Sequence, residues 1–434
     1  MSPIRRLVAI GVALLVVIGV AVVAINLAGG SATGSADASS TAAPSGRESA
    51  SASPTIEPSA SVPDDDVLAT LREIEEQVIE IRGLPAADIG QPDLITRAEL
   101  GGELQRIFDE EYPPEDRERD TIVLRALGLL EEGQDVVELQ LQLLGDQVLG
   151  FYDDVDRRMV IVSDAGLDAE ARMTYAHEYT HALQDAAFDF DALEAAAGDD
   201  DDQALAHTAL IEGDASVTML VWAFAHLTSE ELLEISGGTQ LPDTTGIPTW
   251  MVRQLEFPYT DGLSWASVLV GNPLEPDYTA IDEAFADPPT STEQILDIRK
   301  WDPREDPLPV DGLDLAAALG DDWEEVDVTP IGQAFLSIML EFHGVDRTSA
   351  SEAGDGWGGD QMVVASGPDD AFAVAWRLAW DTPTDAAEFA AAYRGILGTL
   401  DFPATVVELG DDEVLVVHAS TDDLVRRTQD AADG

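Results

Sequence analysis

Cysteine is absent from this 434-residue chain, which excludes disulfides, thiolate metal sites, a cysteine nucleophile and lipidation at a cysteine. Basic residues are scarce. The 22 Lys and Arg, with Lys300 as the single lysine, face 85 Asp and Glu, a formal net charge of −63. Nucleic acid and anionic lipid headgroups, being polyanions, are therefore excluded as partners by repulsion, and the acidic surface suits solubility in salty surroundings. Histidine is rare too, with six in all, so histidines at ligand spacing carry information. What is present suffices for a large fold: 45% of the residues are hydrophobic, enough for one large core or two smaller ones. No internal repeat is evident.

One long apolar run stands at the N-terminus, Leu7 to Ile25 behind Arg5 and Arg6. Its length is enough to span a bilayer, and the arginines place the N-terminus inside. Residues 1–28 are expected to be a transmembrane anchor or a signal peptide. Residues 29–63, rich in Ser, Ala, Thr, Pro and Gly, cannot bury enough apolar surface to fold and read as a linker. The globular part is expected outside the cytoplasm, tethered to the cell membrane by a single pass, or secreted if the segment is cleaved.

The stretch Ala176-His177-Glu178-Tyr179-Thr180-His181-Ala182-Leu183-Gln184 organises the remainder. Residues four apart lie on one face of an α-helix, so His177 and His181 can offer two imidazoles to one metal. Glu178 sits about 100° round the helix, where it can reach a metal-bound water and accept its proton. Zn²⁺ suits this arrangement because it takes neutral imidazole nitrogens, keeps a position open for water and lowers that water's pKa to about 7. His-Glu-x-x-His arises by chance in roughly one such chain in a hundred. A third His at position 187 would extend the motif, but Ala187 stands there and Gln184 replaces the Gly of that pattern. Glu212, in the apolar stretch Ala209 to Ser216, is the candidate third ligand, because an ionised carboxylate in such surroundings needs a partner charge or a metal. His207 and His226 share its face poorly and read as packing or surface residues.

With these residues the chain resembles the gluzincin metallopeptidases, and more narrowly a bacterial group of extracytoplasmic zincins. The supporting motifs are Gly150-Phe151-Tyr152, His177 to Asp185, Glu212 to Ala215, Phe257 to Tyr259, Pro288 to Gln294 and Gly356 to Asp360. The resemblance covers roughly residues 67 to 395 and implies zinc held by His177, His181 and Glu212, a Glu178 general base and a peptide or protein substrate. It also implies a Tyr or His that donates to the tetrahedral oxyanion, for which Tyr259 and His343 are the candidates. One departure stands out: many gluzincins place an acidic residue four positions after the ligand Glu to orient a zinc-bound His, and here that position is Ser216. Asp214 faces elsewhere on an ideal helix, which leaves Asp185, on the His177/His181 face, as the substitute to test.

Around the motif the expected fold class is α+β. A helical lead-in over 64–147 opens with Val67, Leu71, Ile74, Val78 and Ile81 at helical spacing and continues with a Thr96/Glu99 capping box. A zincin-like core over 148–345 holds a β-hairpin on either side of Asp153 to Arg158, the His helix from about Asp168 to Phe188, and the Glu212 helix. Residues 346–434 read as a β-β-α-β-β-α subdomain. The expected function is zinc-dependent peptide hydrolysis, with a catalytically inactive zincin-fold binding or scaffolding protein as the alternative.

Overall fold

The computed structural model describes residues 65–162, 166–238, 244–310 and 312–432; the expected anchor or signal peptide and the linker lie outside them. The chain is α+β, as its patterning requires. Helix α1 (Asp65–Arg82) buries Leu71, Ile74 and Val78, the stripe its spacing announced, and Gly83 at φ 77° follows it. Helix α2 (Arg97–Glu111) begins with the Thr96/Glu99 capping box, in which the Thr96 amide donates to Glu99 at 2.8 Å. Helices α3 (Pro114–Ala126) and α4 (Val136–Gln147) complete the lead-in.

Strands β1 (Asp93–Ile95), β2 (Gly150–Asp153) and β3 (Arg158–Val162) form a sheet in the order β1-β3-β2. The hairpin is therefore as expected, with β1 added in parallel to β3. Three residues are too few for an alternation to show, so β1 has no sequence signature. Helix α5 (Ala169–Phe188) carries the His motif and starts where Asp168 accepts from the Ala171 amide at 2.9 Å. Gly150 lets β2 lie close against it: a Cβ there would sit 2.8 Å from Thr174 Cγ2 and 2.9 Å from Ile161 Cδ1. Helix α6 (Asp201–His226) is packed along α5 and buried over most of its length. Among the described residues it is the helix long and apolar enough to cross a membrane, and it is an interior element.

Helix α7 (Thr249–Phe257), a π-helical turn (Pro258–Gly262) and helix α8 (Leu263–Val270) run consecutively across α6. Helix α9 (Gly332–Phe342) bridges to a five-stranded antiparallel sheet of β4 (Glu324–Thr329), β5 (Trp357–Gly367), β6 (Ala371–Trp380), β7 (Ala404–Glu408) and β8 (Glu413–Ala419), in the order β4-β5-β6-β8-β7. One face, with Met362, Val364, Val374, Trp376, Val414 and Val416, joins the core of the lead-in helices, α9 and helix α10 (Pro383–Ile396). The other, with Val363, Ala373, Leu415 and Val417, is covered by Leu315, Leu319 and helix α11 (Asp422–Ala432). The β-β-α-β-β-α order is present, and β4, from before residue 346, supplies the sheet's edge.

Two buried carboxylates tie this sheet to the site-bearing half. Asp360 on β5 accepts from the amides of Ile331 and Gly332 at the start of α9 (2.7 and 3.0 Å) and from Trp357 Nε1. Asp202 at the start of α6 accepts from the amide and hydroxyl of Thr292, whose oxygen also accepts from the Ala334 amide at 3.1 Å.

Candidate metal centre

The i, i+4 spacing on α5 does what helix geometry requires. His177 Nε2 and His181 Nε2 lie 2.9 Å apart, with the ring planes at 84°. Glu212 arrives from α6, its Oε2 3.0 Å from His177 Nε2 and 3.5 Å from His181 Nε2. Donors each 2.0 to 2.1 Å from a tetrahedral ion stand about 3.3 Å from one another, so these separations are within a few tenths of an ångström of that arrangement. The three side chains are buried, and their ligating atoms form a group that could hold a metal ion. Two neutral imidazoles and one carboxylate are donors of the type that Zn²⁺ accepts.

Electrostatics favour the charged carboxylate here. Burial would raise Glu212, but His181 and His177 pull it down to about 2. His181 responds in the opposite direction: burial would lower it, while Glu212 and then Glu178 raise it to about 9. Burial lowers His177, and the neighbouring His181 adds to that. Glu178 has no ion-pair partner among the described residues and is 2% exposed. Burial pushes its carboxyl up to about 8, with His181 acting against that and Glu212 with it. A carboxylate placed so accepts a proton readily near neutral pH.

Tyr259 stands across the site in the π-helical turn. Its ring centroid is 6.2 Å from that of His177, and its buried hydroxyl lies beside the Glu212 carboxylate. Burial and the adjacent Glu212 and Glu178 hold its pKa well above 10, so it remains an O–H donor. Two glycines make this placement possible: a Cβ on Gly213 would lie 2.4 Å from Gly262 O, and one on Gly262 2.5 Å from Ala209 O. The backbones of α6 and the π-turn therefore touch beside Glu212, and a π-bulge at such a position is a recurrent feature of functional sites.

Of the two candidate oxyanion donors, then, Tyr259 faces the donor triad and His343 does not. His343 follows α9, with Nε2 3.2 Å from Leu127 O, because the lead-in helices and α9 share one core. Asp185 is also placed elsewhere: its Oδ2 accepts from Tyr152 OH at 3.0 Å rather than from a site histidine. The side chain at His181 Nδ1 is Gln184, at 2.9 Å, and Gln184 Nε2 in turn donates to Asp214 Oδ2 at 2.8 Å. Asp214 is hydrogen-bonded to the site through that amide, and its charge also acts on His177. The sole local signal for Gln184 is its position three residues after His181. Ser216 is buried, and among the described residues neither its hydroxyl nor His177 Nδ1 has a hydrogen-bond partner. His207 Nδ1 meets Leu193 O at 3.1 Å, and His226 packs on Trp222, so neither joins the triad.

Residues 323–432, the five-stranded sheet with its helices, match a domain of unknown function (DUF8575), which leaves the His177/His181/Glu212 group outside the match. No curated protein and no solved structure matches the chain.

Proposed function

We propose that the chain is an extracytoplasmic zinc metallopeptidase of gluzincin type with a zincin-like core, His177, His181 and Glu212 being the zinc ligands. Zinc, when bound, supplies Lewis-acid chemistry that acidifies water and polarises a carbonyl. Glu178 accepts the proton of the attacking water and returns it to the nitrogen of the cleaved peptide bond. Tyr259 donates its O–H to the carbonyl oxygen as the carbon becomes tetrahedral and the oxygen takes up negative charge. Strand β2 stands beside α5 with one edge unpaired among the described residues, which suits an extended peptide added as a further strand.

The observation that carries this reading is Glu178: a carboxylate buried beside three converging donors, its pKa lifted to about 8, and opposite the buried hydroxyl of Tyr259. A fold retained only for its shape has no need of that carboxylate. The test is Glu178→Gln, assayed for hydrolysis of a mixed peptide library and for bound zinc. Loss of cleavage by at least about 100-fold with zinc retained is expected; cleavage at the wild-type rate would remove Glu178 from the chemistry.

A second reading is a binding or scaffolding protein of the same fold without activity. It is favoured by the closure of the site, where His177, Glu178, Glu212 and Tyr259 are each at most 2% exposed, and by Ser216 at the position of an acidic residue. In that case no peptide is cleaved and partner binding survives Glu178→Gln.

A further inference from the structure

Gln184 is fully buried on α5, one turn beyond His181. Its Nε2 donates to Ile211 O at 3.0 Å and to Asp214 Oδ2 at 2.8 Å, both on α6. Asp214 is itself fixed, since the same oxygen accepts from Arg82 Nε at 2.9 Å, and Arg82 reaches on to Asp282 at 2.6 Å with its guanidinium 4.7 Å from the centre of the Tyr278 ring. A side-chain amide has one donating and one accepting end. Both neighbours of Nε2 can only accept, so the amide has a single satisfactory orientation. Turned over, it would set its carbonyl oxygen against a carbonyl and a carboxylate in a buried site, which is costly. Oε1 therefore faces His181 Nδ1, 2.9 Å away, as an acceptor. His181 must then carry its proton on Nδ1 when neutral, which leaves the Nε2 lone pair directed at His177 Nε2 and Glu212 Oε2.

We propose that Gln184 is a positioning residue for the metal, and that the chain Arg82–Asp214–Gln184 fixes the tautomer and ring orientation of His181. This rests on the reading of the triad as a zinc site. An amide here takes the place of the carboxylate, carbonyl or water that ordinarily accepts from a ligating histidine, and Asp214 is the reason. A glutamate at 184, by itself the stronger acceptor, would point its second oxygen at the Asp214 carboxylate and the Ile211 carbonyl.

The test compares zinc dissociation constants, by competition with a chelating dye, for the full-length wild type, Gln184→Met, Gln184→Glu and the double variant Gln184→Glu/Asp214→Asn. Nitrogen-15 histidine NMR of the zinc-loaded proteins reports the Nδ1–H of His181. Gln184→Met and Gln184→Glu are expected to weaken zinc binding 10- to 100-fold, the range for partners of ligating histidines, and the protected Nδ1–H signal is lost in Gln184→Met. The double variant regains at least part of the affinity, because the new asparagine can donate to the new glutamate from the Oδ2 position while its oxygen takes the Oδ1 position, 2.9 Å from Arg82 Nε, and accepts there. Should Gln184→Glu bind zinc as tightly as the wild type, or the double variant bind no better than Gln184→Glu, the relay is refuted while the zinc site stands. The double variant decides the matter even if Gln184→Met does not fold. No zinc in the wild type would instead refute the site, and the relay with it.

Discussion

At the scale of single residues, the two site groups outside the His177/His181/Glu212 set make the sharpest contrast. Glu178 and Tyr259 both face the donor triad from within the protein, one with its pKa raised to about 8 and one as a persistent O–H donor. Tyr259→Phe removes only the hydroxyl, so the ring packing against His177 and the three ligands are kept. Its expected effect is a fall in kcat of about 100- to 1000-fold, the range for deleting one oxyanion donor, with KM and zinc content near wild type. A parallel rise in KM and loss of zinc would make Tyr259 structural. The site residues differ in how plainly their neighbours announce them. His177 and His181 are readable because their relation is local, one turn of one helix. Glu212 is readable because an ionised acid in an apolar stretch of helix demands a partner. Gln184 is not, since the groups that give it meaning, Asp214 and Arg82, are brought to it from α6 and α1 by tertiary packing. The choice between Tyr259 and His343 likewise depends on which core each helix joins.

At the scale of elements, α6 and the π-turn touch closely where Gly213 and Gly262 meet backbone to backbone. Gly213→Ala forces the two apart by its first carbon, because a carbonyl oxygen 2.4 Å away leaves it no room. Overpacking of this kind costs about 1–3 kcal/mol. The expected result is a lower midpoint of urea unfolding together with reduced turnover, as Tyr259 is carried away from Glu212; unchanged stability and activity would show that the contact is dispensable. The glycine that permits this contact stands within Glu-Gly-Asp-Ala, visible in the chain, but its reason lies about fifty residues further on. The amphipathic helix α1, the capping box of α2 and the hairpin of β2 and β3 are legible because each is a local pattern. Strand β4, Glu-Glu-Val-Asp-Val-Thr, is too acidic and too exposed to show the alternation that marked β6, so its place in the sheet depends on the pairing with β5.

At the scale of the whole molecule, the sheet and the site-bearing half are joined through carboxylates that are buried and short of positive charge. Burial pushes Asp202 well above its ordinary range, with Asp200 and Asp360 adding to it, and burial pushes Asp360 up to about 6. The native state thus holds protons that the unfolded chain, with aspartate near 3.9, has already released. Stability from these groups is full below about pH 4 and is lost as pH rises through about 6 and beyond. Asp202→Asn, which cannot ionise, is expected to match the wild type near pH 4 and to exceed it in urea midpoint at pH 8. A variant equally destabilised at both pH values would contradict this account of the junction. The central claim is the metal, and metal analysis of the purified full-length protein beside Glu212→Ala tests it most directly. One zinc per chain in the wild type and none in the variant is the expected result; a wild type that holds no zinc even after zinc is added would contradict it.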